Sequence, residues 1–240
     1  MRDGHFFKGC LVLLFISLLS PSLLYGGWIL KDGEGTTTFI SKGKIKHIEG
    51  DETDSYLVID YNDDRITLVD GSQQIYATGT LAEYCGYMRK ITKAFSQMEG
   101  AFGDPEENAA EMVEVVAAGQ ENIAGMKAEK YQVIVDGELY EEVWLTMSSG
   151  LMSELGNSAS HQQFMECLDA GGDPVESSKP YRELSLKGWE LRSISYDFGE
   201  KEYNSDTVSI EEENIDDSEF TPPAGYKKLE LEEMFMAVTE

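Results

Sequence analysis

The chain has 240 residues, enough to bury its own core as one domain or at most two small ones. Asp and Glu number 45 against 19 Lys and Arg, a formal charge of −26. A surface this negative repels nucleic-acid phosphate and anionic headgroups, so no nucleic-acid partner is expected, and cationic partners or divalent ions are favoured instead.

Residues 1–26 read as a secretory signal peptide. Arg2 and Lys8 precede the apolar run "LVLLFISLLSPSLLYGG", and Ser20, Ser22, Gly26 and Gly27 supply small residues at its end. The run is short of the ~20 residues a membrane span needs, and Pro21 interrupts it. Cys10 precedes the apolar run instead of ending it, which argues against a lipoprotein. No later segment is apolar enough to span a bilayer. The expectation is a single domain over 27–240, periplasmic or secreted.

After the leader come short strands joined by polar turns: "TTTFIS" (36–41), "KIKHIEG" (44–50), "SYLVIDY" (55–61), "RITLVDG" (65–71) and "QQIYATG" (73–79). This is the pattern of an antiparallel meander. The period then changes to three and four, with Leu81, Tyr84, Cys85, Met88, Ile91, Phe95 and Met98 on one helical face. Thr80 and Glu83 have capping-box spacing. "DPEENAAEMVEVV" predicts a second, shorter helix capped by Asp104. "YQVIVDGELYEEVWLT" (131–146) predicts a hairpin, because Asp136-Gly137 suits a type I′ turn. "SASHQQFMECLDAGG" predicts a helix capped by Ser160, with Phe164, Cys167 and Leu168 on one face. Residues 181–199 read as a strand whose alternation slips between Leu191 and Ile194, the mark of a bulge. A last strand spans 206–215. The class is α+β, a curved and largely antiparallel sheet whose apolar face the amphipathic helices cover.

Motifs for chemistry are mostly lacking. "DYNDDRITLVDG" has Arg65 where a calcium loop needs glycine and Gly71 where it needs glutamate. His47, His161, Cys85 and Cys167 have no close metal spacing. "GNSAS" (156–160) lacks the second glycine of a nucleophile elbow, and His161 is equally well explained by its place in the first turn of a helix. No metal, cofactor or enzymatic activity is expected. Cys85 and Cys167 each lie on an apolar helix face. They meet in a disulfide if both helices cover the same surface, and otherwise stand as two buried thiols.

The order of "GKIKHIEG", "IAGMKAEKYQV", the Trp144 strand and "FTPPAGYKK" resembles an uncharacterised family of exported bacterial proteins related to the lipoprotein-carrier (LolA-like) superfamily. The resemblance implies an unclosed β half-barrel with helices on its concave face, around a cavity for acyl chains or other hydrophobic ligands. A non-enzymatic carrier of a lipid or acyl chain is therefore the leading expectation. Tyr84, Met88, Ile91, Phe95, Trp144, Phe164, Leu168 and Trp189 are the candidate lining residues. The alternative is a protein-interaction module with a packed core, its acidic surface meeting a basic partner. "FTPPAGYKK" itself reads as a closing latch, with Phe220 as a core anchor and the prolines guarding a sheet edge.

Overall fold

A computed structural model describes residues 26–50, 54–99, 112–156, 158–168, 174–197 and 200–238. The side chains of 92–99, 158, 166–168, 197 and 237–238 also fall outside the described residues. So do the expected leader up to residue 25 and the start of the expected second helix.

Among the described residues the chain forms one sheet of twelve strands, open, curved and mostly antiparallel. The first half holds the expected meander of β2 (Thr37–Ser41), β3 (Lys44–Ile48), β4 (Tyr56–Asp60), β5 (Arg65–Asp70) and β6 (Ile75–Thr80), preceded by a strand not expected from the sequence, β1 (Gly27–Asp32). The second half is β7 (Val113–Ile123), β8 (Met126–Val135), β9 (Glu138–Thr146), β10 (Trp189–Asp197) and β11 (Glu200–Glu213). β11 pairs with β1 and joins the halves. β12 (Lys227–Leu229) adds to β6 in parallel, so β12 and β7 are the two edges.

Local sequence sets these turns. Asp136 and Gly137 both have positive φ, +53° and +88°, as the expected type I′ hairpin requires. Lys42 and Gly43 turn β2 into β3 in the same way. The slip read near Leu191 is real: β10 shifts register against β9 between Glu190 and Arg192, and against β11 between Ser193 and Ile194. Another bulge between Lys31 and Asp32, opposite β11, leaves Val208 exposed while Ile210 packs on the core.

The helices are α1 (Leu81–Glu99), α2 (Ser149–Glu154), α3 (Ser158–Leu168), α4 (Lys179–Ser185) and α5 (Leu231–Val238). The capping box of α1 forms as read. The Thr80 amide donates to Glu83 Oε2 at 2.8 Å, and the Glu83 amide donates to Thr80 Oγ1 at 3.1 Å.

Three expectations are corrected. Residues 113–116 are strand, because Val113 and Val115 alternate and pair with Val135 and Val133. α3 begins at Ser158, ahead of its expected cap at Ser160. Residues 179–185 are a helix: Ser178 caps the Tyr181 amide and Pro180 fits the first turn, where a missing N–H costs nothing.

Alternation divides the meander into two faces. Leu30, Ile40, Ile45, Ile59 and Ile66 form the main core with α1, α2 and α3. Ile29, Phe39 and Val58 point the other way and meet Phe220 and Ile215. α5 closes a smaller cluster on β6 with Leu231 and Met234, and α4 covers Val133, Val143 and Leu145.

Candidate functional site

A cavity of about 400 Å³ opens between the first strands, β9 and β10, and helices α3 and α4. β1 to β3 contribute Leu30, Thr38 and His47; β9 contributes Val143 and Leu145. α3 adds His161 and Met165, and α4 adds Tyr181 and Leu184. Trp189 and Glu190 enter from β10, and Ser205 and Thr207 from β11. The wall is mainly apolar, with a few polar groups aimed inward, the composition of a small-molecule site.

The polar groups have defined partners. His161 Nδ1 lies 2.9 Å from the Tyr61 hydroxyl, with the two rings edge to face at 5.2 Å. Burial lowers the His161 pKa and raises that of Tyr61, so both are neutral at neutral pH. His47 Nδ1 lies 3.1 Å from Thr38 Oγ1. Asp32 Oδ1 accepts the amides of Glu34 and Thr36, which ties it into its own turn. Ser205 Oγ donates to Glu190 Oε1 at 2.6 Å. Behind Glu190, Glu141 accepts from Ser193 Oγ and lies beside the Tyr181 hydroxyl.

Glu190 is exposed to water, yet protein atoms crowd around its carboxyl. That crowding raises its carboxyl above its ordinary value. The Ser205 bond opposes the rise, and the negative charges of Glu141 and Glu176 add to it. Burial, then Glu141, pushes the Tyr181 phenol far above its ordinary value. The cavity lining therefore includes an acidic group, Glu190, with Glu141 acting on it, and a neutral one, His161, paired with Tyr61.

The expected lining residues are dispersed. Trp189 stands in the cavity wall. Trp144 is buried on the opposite side of β9, because alternation turns its neighbours Val143 and Leu145 inward. There Lys130 Nζ lies 4.6 Å from the Trp144 ring and Arg192 5.5 Å. Tyr84 and Phe164 stack on each other at 6.1 Å and fill the seam between α1 and α3. Ile91 lines a separate groove with Leu57, Leu68, Met234 and Phe235. Met88 is half-buried on α1. The side chains of Phe95 and Leu168 lie outside the described residues. Cys85 is disulfide-bonded. α3, which carries Cys167, packs along α1, but the Cys167 side chain falls outside the described residues.

Sequence reasoning missed Val143, Leu145, Tyr181, Leu184 and Glu190. The signal for α4 was present in "SSKPYRELS", a serine cap followed by proline. Every residue of "EEVWLT" is buried, so alternation alone did not identify the face that meets the cavity.

Fold and cavity define an α+β protein with an open antiparallel sheet and a ligand-sized space between sheet and helices. The chain belongs to the family described as "Domain of unknown function (DUF4412)", whose sequence profile matches residues 87–226. No curated protein matches it. Among solved structures it is similar to an uncharacterized conserved protein from Thermus thermophilus, at 8% identity and a TM-score of 0.40. That match covers 86% of this chain and 91% of the other. It is also similar to MucB, at 12% identity and a TM-score of 0.37, covering 84% of this chain and 57% of MucB. A third likeness is to the Pseudomonas aeruginosa MucA/MucB complex, at 11% identity, a TM-score of 0.37 and coverages of 83% and 55%. The chain thus spans little more than half of MucB.

Proposed function

We propose that this protein is a non-enzymatic, periplasmic binding or carrier module for a hydrophobic ligand, a lipid or acyl chain. The observation that carries this reading is the 400 Å³ cavity, walled by Leu30, Val143, Leu145, Leu184 and Trp189. Its volume falls in the range of small-molecule sites. On this reading α3 and α4 lie over the concave side of the sheet and the ligand lies beneath them. The two imidazoles in the wall engage hydroxyl groups, Tyr61 for His161 and Thr38 for His47, an arrangement suited to orienting a ligand. The signal-peptide pattern read in residues 1–26 and the disulfide at Cys85 support an oxidising, exported setting. Among the described residues no helix is long and apolar enough to cross a membrane.

Native mass spectrometry after incubation with a total lipid extract tests this. One amphiphile per protein, released by collisional activation, is the expected result. Bare protein at every lipid concentration contradicts it. A second reading, docking of a basic protein partner, draws support from the acidic surface and from the open β7 edge, where Val116 is exposed.

A further inference from the structure

We propose that the ligand is an amphiphile with an apolar chain and a protonated amine, and that Glu190 receives the amine. This rests on the binding function proposed above and names the chemistry of its ligand. Val143, Leu145, Leu184 and Trp189 form the apolar wall, and Glu190 lines the same cavity. Its single hydrogen-bonding neighbour among the described residues is neutral, Ser205 Oγ at 2.6 Å. Among the described residues no Lys, Arg or His lies within ion-pair distance of Glu190. Lys31 lines the same wall and, like Glu190, is exposed, but no ion pair joins the two.

The other carboxylates make the need for countercharge greater. Glu141 and Glu176 both act on Glu190 as like charges, and Asp32 lines the same cavity. Among the described residues no three carboxylate, imidazole or thiolate groups converge to hold a metal ion, so the countercharge falls to the ligand. A wholly apolar occupant would strip water from Glu190 and leave a buried, unpaired charge. A fatty-acid carboxylate would add repulsion to that cost. A protonated amine instead makes a charge-assisted hydrogen bond to the carboxylate while its chain covers the apolar wall.

Competition of dodecylamine, dodecanol and dodecanoate against an uncharged environment-sensitive dye tests the assignment, all below their micellar concentrations at neutral pH. The amine is expected to bind about tenfold or more tightly than the alcohol, with the carboxylate weakest. Glu190→Gln should bring amine and alcohol together and leave the alcohol no weaker. An amine preference that persists in Glu190→Gln would come from the acidic surface at large and would overturn the assignment. Equal binding of amine and alcohol to the wild type would overturn it while leaving an apolar binding site. Absence of displacement by all three would overturn the proposed function as well. Should Glu190→Gln fail to fold, the wild-type amine preference is measured at high ionic strength instead: a preference that persists supports the assignment, and one that salt abolishes comes from the acidic surface and overturns it.

Discussion

The cavity wall and the latch are built on opposite principles. At the latch, the 3-10 turn Asp217–Phe220 sets Phe220, 7% exposed, against Val58 and Ile215. Every polar group named there has a partner. Asp216 caps the Ser218 amide at 2.8 Å, and Tyr56 donates to the Thr221 carbonyl at 3.0 Å. Lys46 reaches Glu219 at 3.3 Å while lying 4.2 Å from the Tyr56 ring centre. At the cavity, by contrast, Glu190 faces other carboxylates with only Ser205 to hold it. One region satisfies its groups from within the chain. On the proposed reading the other leaves a charge for a ligand to satisfy, at some cost in stability.

This contrast predicts effects of opposite sign. The largest is at the latch: Phe220→Ala should destabilise the protein by about 3–5 kcal/mol, read as a lowered denaturation midpoint. An unchanged midpoint would mean that Phe220 anchors nothing. Next is the brace between the helices. We propose that Cys85 pairs with Cys167. Peptide mapping without reductant should recover that linked pair, and Cys85→Ser should lower stability by about 2–4 kcal/mol. Recovery of both residues as free thiols would remove the brace.

Smallest, and opposite in sign, is the cavity. A carboxyl raised in the folded state stabilises below its unfolded pKa, and that contribution is lost as pH rises through the folded pKa. Glu190→Gln removes this loss. It should match the wild type near pH 4 and melt slightly higher near pH 8. A variant that melts lower at pH 8 would show that Glu190 is already satisfied within the chain.

Much of the architecture was legible in local sequence. Period-two strands, the Asp136-Gly137 turn, the Thr80–Glu83 box and the slip at Leu191–Ile194 each depend on neighbouring residues, so sequence carries them. The latch was legible as a latch. Its placement was not, because Phe220 anchors on the face of the meander turned away from Ile40 and Ile59, and only the pairing of β1 to β4 defines that face. α5 went unread because "LEEMFMAV" is a short apolar run with no cap signal of its own. Aromatic residues drew attention as cavity lining, yet Trp144 and Phe164 are consumed by packing, the ordinary fate of large apolar side chains. The wall is made instead by Val143, Leu145 and Leu184, brought together by β9 and α4 across a long stretch of chain.

The most direct test of the central claim is equilibrium titration with an uncharged dye, on the wild type and on Ser185→Trp, which sets a bulky ring in the cavity wall. One-site saturable binding to the wild type, abolished in the folded Ser185→Trp protein, is the predicted result. Non-saturable binding, or saturable binding that filling the cavity leaves unchanged, would contradict it.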